Sequence, residues 1–300
     1  MRFSFLSATL LVNFGFGLIG SAEAQSRGLS FGADGTLVMG YTDQVAGADI
    51  FLFGDATLRL SLNTIPLGFE LGVFGLANAV DTPHETYGTF TWDFAQGRRL
   101  SLGVPRPAYD SFAVSAFDTL LPSLAVSQVG TTRSLATYGA MFEGFLPYGL
   151  RYETKTDNLH FAVSIDTVPN RDTTIAGVGL ALPFGEMTLE SAFEMSWGAT
   201  TDVAGKVQLK GERGGIEGGF GIYWPGTVGE PEVFEAFASF DLAEKVRVSG
   251  ALQIPLRGGR DPIAGVLAHY SFSPAAGISV GAMTNAGADA AYAMMLDWTF

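Results

Sequence analysis

Side chains suited to nucleophilic catalysis are sparse in this sequence. The chain has 300 residues, no cysteine and three histidines, which are His84, His160 and His269. His160 and Ser164 fall on one face of a predicted strand, where a serine could meet the base that activates it. Four strand residues span about 13 Å, however, which is too far for a hydrogen bond between such a pair. We therefore do not expect an enzyme.

Carboxylates are the commonest charged side chains, with 30 Asp and Glu against 17 Lys and Arg and a net charge of −13. Because no basic stripe is present to contact phosphates, nucleic acid is not an expected partner. The absence of cysteine excludes thiol catalysis, cysteine-ligated zinc and disulfides together. The glycine-rich stretch 214–219 fits no phosphate-binding motif, and no cofactor is predicted.

The elements that position these residues follow a period of two, which is typical of strands with unlike faces. About 16 such runs occur, from residues 29–42 to residues 291–300. They average about ten residues, and a membrane-spanning strand needs roughly 9–11. In one clear run the polar face carries His160, Ser164 and Asp166, and the apolar face carries Leu159, Phe161, Val163 and Ile165.

The first 24 residues have the pattern of an export signal. Arg2 supplies the positive charge, residues 3–19 are mostly apolar, and Ala22 and Ala24 form a small-x-small cleavage site before Gln25. A single membrane or amphipathic helix is the competing interpretation, but three glycines within residues 15–20 weaken it. We expect cleavage after residue 24, which leaves 25–300 as the mature protein.

Alternation alone does not say which face meets water, since soluble β-sandwiches and barrels also alternate. Here nearly every run has a wholly apolar face, and those faces often end in tyrosine or tryptophan, as membrane interfaces favour. The aromatic residues concerned are Tyr41, Tyr148, Tyr152, Trp197, Trp224, Tyr270 and Trp298. Because an open sheet edge cannot be satisfied in lipid, the runs predict an all-β, antiparallel, 16-stranded transmembrane β-barrel around an aqueous channel.

The connections between runs fall into two classes. Tight turns at 63–66, 95–98, 183–186, 211–214 and 273–276 follow even-numbered runs, which places them together at the periplasmic end. Longer connections follow odd-numbered runs. The connection at 105–144, after the fifth run, is about 40 residues long, and loops of that length are usually functional.

The chain resembles the general diffusion porins of Gram-negative bacteria, especially the alpha-proteobacterial type. The resemblance rests on the Ala-x-Ala signal, the 16 runs, the long third external loop and the terminal residue Phe300, with Trp298 and Leu296 on the same face. It implies an integral protein of the bacterial outer membrane, in contact with lipid and assembled as a homotrimer. Phe300, Trp298 and Leu296 would then form the signal for barrel assembly.

The resemblance also implies that the long loop folds into the pore and sets acidic groups against wall arginines. A transverse field of this kind orients polar solutes and resists apolar ones. The early strands lack a dense arginine cluster in sequence, and residues 112–126 form an apolar stretch that could be a short helix packed on the wall. The candidate constriction residues are Asp110, Asp118, Glu143, Arg106 and Arg133 in the loop, with Arg59, Arg99, Arg151 and Arg247 on the strands.

Passive diffusion of small hydrophilic solutes and ions is the function that these features favour, with a preference for cations because carboxylates are in excess. A substrate-selective channel, with a binding site built by the long loop, is the alternative, and saturable flux would distinguish it. A plugged barrel acting as anchor or adhesin is disfavoured because most external loops are short.

The sequence also bears on two further partners, which are a calcium ion and other copies of the chain. Scattered carboxylates could hold Ca²⁺ weakly at the pore mouth, although no clustered loop motif supports such a site. Small residues at Ala33, Gly35, Gly54 and Ala56, on the outer faces of the first two runs, would suit the packing of subunits in a trimer.

Overall fold

A computed structural model of the chain describes residues 28–43, 50–122, 126, 128–198, 200–284 and 290–300. The predicted export signal, 1–24, lies outside the described residues. Within them the chain forms strands β1–β16, which are, in order, Leu29–Thr42, Ile50–Leu62, Leu67–Asn78, His84–Ala95, Arg98–Val104, Tyr148–Thr156, Leu159–Val168, Thr173–Phe184, Met187–Trp197, Thr201–Arg213, Ile216–Trp224, Val233–Ala243, Val246–Pro255, Ile263–Ser273, Ala276–Thr284 and Ala291–Thr299.

The strands close into a single barrel. Each one pairs antiparallel with its neighbour in sequence, and β1 pairs with β16 to complete the circle. At this junction Gly35 and Phe300 exchange two backbone hydrogen bonds of 3.1 Å. Because a closed sheet has no edge, its backbone groups are satisfied internally. The predicted 16-stranded antiparallel barrel is therefore confirmed.

The two faces of the barrel differ in exposure and chemistry. Along β7, Ala162, Ser164 and Asp166 are buried, whereas Val163 and Ile165 between them are exposed. A soluble barrel would show the reverse, with its apolar side chains buried. An exposed apolar band suits hydrocarbon instead. Other large side chains on the exposed face include Phe90, Leu102, Phe220, Val266, Val280, Tyr292 and Met294.

The turns that follow even-numbered strands are short, as predicted, and several are shorter than the sequence suggested. The strands β8 and β10 continue to Phe184 and Arg213, so only residues 185–186 and 214–215 form the turns. Gly185 and Gly214 make such tight reversals possible because their φ angles of 63° and 61° lie in the left-handed region.

One connection is much longer than the others. Residues 105–147, here called the loop segment, join β5 to β6 and extend three residues beyond the predicted 105–144. The loop segment contains a 3₁₀ turn at Ala108–Ser111 and helices α1 (Phe117–Leu120), α2 (Val129–Thr132) and α3 (Leu135–Glu143). No helix within the described ranges is both long and apolar enough to cross a membrane.

Apolar side chains of the loop segment pack against the buried face of the strands. Phe117 and Leu121, in and after α1, join a cluster that includes Phe53, Phe74 and Met295 of the wall. The predicted short helix within residues 112–126 is thus present as α1. The buried face of the strands therefore carries apolar as well as polar side chains, because the apolar stretch of the loop segment requires an apolar partner to remain out of water.

A second contact between the loop segment and the strands depends on a glycine. The ring of Phe112 is fully buried in a cluster with Tyr109 and with alanines of β7 to β10. A Cβ atom added at Gly179 on β8 would overlap the Phe112 ring. Glycine at this position therefore leaves the space that the ring occupies.

Candidate functional site

The loop segment is fixed at its start by two arginines. Arg106 forms an ion pair with Asp55 of β2. Arg151 of β6 donates hydrogen bonds of 2.9 Å to the Arg106 carbonyl oxygen and to the Ser111 hydroxyl. A guanidinium has several donors in a fixed geometry, so one side chain can hold several points of a loop.

A fully buried carboxylate of β12 holds the beginning of α1. Glu235 accepts hydrogen bonds from the Ser115 hydroxyl at 2.5 Å and from the Ala116 backbone N–H at 2.9 Å. Gln253 of β13 and Tyr223 of β11 donate to the same carboxylate at 2.8 and 3.1 Å. Unpaired N–H groups at the start of a helix are thereby satisfied by an anion from the wall.

Helix α3 is held in a similar way. Glu194 of β9 accepts from the Ser134 hydroxyl at 2.5 Å and from the Leu135 N–H at 2.7 Å. Asp110, from the 3₁₀ turn, accepts from the Ser134 N–H at 2.6 Å and from the Thr137 hydroxyl. Asp110 therefore joins two parts of the loop segment, and Glu194 joins the loop segment to the wall.

A buried ion pair lies between α1 and the residue that follows α2. The Arg133 guanidinium is 2.5 Å from the Asp118 carboxylate, and their side chains are 4% and 6% exposed. Burial raises the pKa of Asp118, and the guanidinium of Arg133 lowers it only part of the way back. Arg133 also lies over the Phe74 ring, 4.3 Å from its centroid.

The strands whose side chains hold the loop segment are spread around the barrel. Asp55, Arg151, Glu194 and Glu235 lie on β2, β6, β9 and β12, which are well separated in the closed strand order. A single connection can reach all four only if their side chains point toward the inside of the barrel. We call this side of the strands the inner face.

Four of the predicted arginines meet in one cavity of about 720 Å³, here called the basic cavity. Its Lys and Arg side chains are Arg59, Arg98, Arg99, Arg106, Arg151 and Lys155, and its carboxylates are Glu70, Asp93 and Glu153. Gln96 and Gly97, in the turn between β4 and β5, also line it, so it lies toward the short-turn end. The sequence left open whether the early strands form a basic cluster, and neighbouring strands here bring together arginines that are far apart in sequence.

Ion pairs connect several of the strand side chains that line the basic cavity. Arg59 and Arg99 contact the same carboxylate, Glu70, at 2.7 and 2.6 Å, and Arg99 also contacts Asp93 at 2.7 Å. Each of these arginines is partly exposed, so the pairs add little stability on their own. They hold the guanidinium groups in place along the wall.

A second cavity of about 560 Å³ lies along other strands and is here called the apolar cavity. Three candidate constriction residues, Asp118, Arg133 and Arg247, line it. Arg247 is paired with Glu217 at 2.5 Å. Large apolar side chains form part of the remaining wall, namely Val38, Phe53, Phe74, Leu120, Phe237, Leu267 and Met295. The charged residues Asp55, Lys210, Glu217 and Asp297 also line it.

The other predicted site residues lie elsewhere. Glu143, at the end of α3, is 3.3 Å from Arg171 in the loop after β7 and lines neither cavity. Leu296 and Trp298 belong to β16 and pair in register with Met39 and Leu37 of β1. The assembly role of Phe300, Trp298 and Leu296 stays a prediction.

Sequence reasoning missed the side chains that anchor the loop segment, above all Glu194, Glu235, Ser115 and Ser134. Both glutamates were visible as polar positions in alternating runs, but nothing in the sequence indicated their partners. Within the described part of the chain, no three His, Asp or Glu side chains are placed to hold a metal ion. The suggestion of weak Ca²⁺ binding stays a prediction.

No family model and no curated protein matches this chain. Solved structures do match it. The porin of Rhodopseudomonas blastica, solved as a triple mutant, has a TM-score of 0.68 at 14% sequence identity, with 91% of this chain and 100% of that one covered. The chain has the porin fold. Another mutant of the same porin gives a TM-score of 0.67, as does a structure concerned with asymmetric conductivity of engineered proteins.

At 14% identity the likeness is one of fold. Together with the 16 closed strands, it confirms the sequence-based expectation of a porin-type barrel. The anchors, the ion pairs and the two cavities described above belong to this chain's own side chains, and the function has to be argued from them.

Proposed function

We propose that this protein is a porin of the bacterial outer membrane, exported through a cleaved signal and open to the passive diffusion of small hydrophilic solutes and ions. The observation that carries the proposal is the closed barrel of 16 strands with an apolar exposed face and a charged inner face. A barrel of this strand number encloses an aqueous channel. Transfer through such a channel requires no catalytic group.

The loop segment is the element that would narrow the channel. Its contacts with β2, β6, β9 and β12 support a position across the lumen. Asp118 of the loop segment lines the apolar cavity, and Arg59 and Arg99 of the wall line the basic cavity, so opposite charges would be set along the passage, which favours polar solutes. Asp110, buried within the loop segment, and Glu143, paired with Arg171, line neither cavity and would have no part in this field.

A preference for cations is part of the proposal. The period of two places more carboxylates than basic side chains on the inner face of the strands. The carboxylates are Asp34, Asp55, Glu70, Glu85, Asp93, Glu153, Asp166, Glu190, Glu194, Asp202, Glu212, Glu217, Glu235, Asp241 and Asp297, and the basic residues are Arg59, Arg99, Arg151, Lys155, Lys206, Lys210 and Arg247. An excess of negative charge along a channel raises the local concentration of cations.

Homotrimers are the expected assembly. On the outer face of β1 and β2, Gly35 lies opposite Ala56 and Leu37 lies opposite Gly54 in the strand register, so Ala33, Gly35, Gly54 and Ala56 form one patch of small side chains. Such a patch lets a neighbouring surface approach closely. Chemical cross-linking of the folded protein in membranes should yield trimers, and replacing Gly54 by a large residue should reduce them.

Electrical recording in planar bilayers tests the proposed function. The refolded mature protein should insert in groups of three equal conductance steps, and a salt gradient should give a cation-selective reversal potential. Folding is checked independently, because a folded barrel resists unfolding in detergent until the sample is heated. Folded, inserted protein that conducts no ions would refute the diffusion channel.

A substrate-selective channel remains the second candidate, because the loop segment builds two cavities of different chemistry. Flux through it would saturate with one class of solute. Non-saturable flux for unrelated sugars and amino acids of similar size would exclude this alternative.

A further inference from the structure

The basic cavity has the opposite charge to the protein as a whole. Six Lys and Arg side chains and three carboxylates line it, so its net charge is +3 with His160 neutral, whereas the whole chain carries −13. A cavity of this sign in an acidic protein concentrates anions locally. The excess of carboxylates elsewhere in the channel does not explain the local positive charge of the basic cavity.

Two of its basic groups have no partner to neutralise them. Arg98 and Lys155 are exposed and form no ion pair with any residue that the structure describes. They begin β5 and nearly end β6, and these positions lie next to each other because Arg98 is in register with Thr154. Arg98 directly follows the turn residues Gln96 and Gly97 and lines the rim of the basic cavity, whereas Lys155 lies on the inner face with Arg151 and Glu153. The short-turn end of the basic cavity therefore has two basic residues without an ion-pair partner among the described residues.

The deeper part of the basic cavity also contains arginines, and these are paired. Arg59 and Arg99 share Glu70, Arg99 also contacts Asp93 at 2.7 Å, and Arg59 lies 3.9 Å from Asp34. Above them Arg106 and Arg151 lie at the start of the loop segment. Basic groups thus extend from the short turns to the loop segment along β2, β5 and β6.

The basic cavity is also separate from the apolar cavity. No residue lines both of them. Arg106 lines the basic cavity and its ion-pair partner Asp55 lines the apolar cavity, so this pair marks the boundary. A solute in the basic cavity would meet arginine and lysine donors without contacting the apolar side chains beyond the boundary.

We propose that the basic cavity binds small multivalent oxyanions, meaning solutes with two or more carboxylate or phosphate groups, that enter from the short-turn end. Guanidinium and ammonium groups bind such oxygens through charge-assisted hydrogen bonds. A volume of about 720 Å³ accommodates a small organic polyanion. The inference rests on the proposed channel, because a bound polyanion would slow the passage of other ions.

Citrate added to one side of a single channel is the direct probe, with acetate at equal ionic strength as the monovalent comparison. Citrate at the short-turn side should reduce the current reversibly, and the concentration for half-block should be at least tenfold lower than from the other side. Acetate should leave the current unchanged. Equal block from both sides, or no citrate block in a conducting channel, would overturn the proposal.

The double variant Arg98→Gln with Lys155→Gln should raise the half-blocking citrate concentration at least tenfold. Its control is Arg213→Gln with Lys245→Gln, which removes the same charge at the same end of the barrel but outside both cavities. Block that weakens equally in both double variants would show a general charge effect and would contradict a site.

Failure of the channel itself is kept separate from failure of the site. If folded protein does not conduct, the proposed diffusion function falls, and citrate binding is then measured by calorimetry on the detergent-solubilised barrel. Saturable binding that is lost in the Arg98→Gln, Lys155→Gln variant and kept in the control would uphold the oxyanion site. Absence of binding to the unmodified barrel would reject it.

Discussion

The Arg106 guanidinium forms an ion pair with the Asp55 carboxylate at the boundary between the basic cavity and the apolar cavity. Arg106 also lies over the Tyr87 ring, 4.9 Å from its centroid, so its position is fixed by β4 as well as by β2. The first residues of the loop segment are thereby attached to the wall between two compartments of different chemistry.

Neutralising Asp55 should therefore change ion selectivity. In Asp55→Asn the shape of the side chain is kept, but Arg106 loses its partner and its full positive charge is exposed to both cavities. The reversal potential under a salt gradient should move toward anions, with folding unchanged. Asp261→Asn, in an exposed external loop, removes the same charge as a control. A shift of the same size in both variants would contradict a special role for the Arg106–Asp55 pair.

The anchor at Glu235 should control how firmly α1 is held. Glu235 is fully buried, and Glu235→Ala leaves the buried Ser115 hydroxyl and the partly buried Ala116 N–H without their acceptor, at a cost of about 1–3 kcal/mol. The loop segment should then be cut faster by protease in the folded barrel. Glu186→Ala, in an exposed turn, is the matched variant and should be cut at the original rate. Equal cleavage rates would mean that Glu235 does not anchor the loop segment.

The sequence was sufficient to predict the barrel but not its anchors. Strand β7 was predicted at 159–168 and is found at Leu159–Val168, because period two is a local signal that each strand carries by itself. Glu235 gave no comparable signal, since its partner Ser115 is 120 residues away in the chain. The packing of Phe53 gave no signal either, because its partner is the loop segment rather than a neighbour in sequence.

The space at Gly179 offers a test of packing in the loop segment. A methyl group added in Gly179→Ala would overlap the buried Phe112 ring, so the ring must move, at a cost of about 1–3 kcal/mol. Gly177, two residues earlier on the same face of β8, is the matched control, since a Cβ there comes no closer than 3.4 Å to its neighbours. Urea unfolding in lipid vesicles and protease cleavage of residues 105–147 should both reveal the difference. If Gly177→Ala proved the more disruptive change, the packing of the Phe112 ring against Gly179 would be wrong.

The buried pair of Asp118 and Arg133 should show a larger effect in the single variant than in the double one. Asp118→Asn removes the charge partner of a guanidinium that is only 4% exposed, and an uncompensated buried charge costs about 3–5 kcal/mol. Replacing both residues with apolar ones of similar size, Asp118→Leu with Arg133→Met, removes both charges from the interior and should recover most of the stability. The rate of protease cleavage in the loop segment and the fluctuation of the open-channel current measure the effect. The two variants together distinguish a pair that holds α1 and α2 in place from one that contributes nothing. In the first case the single variant is cleaved fast and the double variant slowly, whereas similar rates in both, close to that of the unchanged protein, would refute the pair's role.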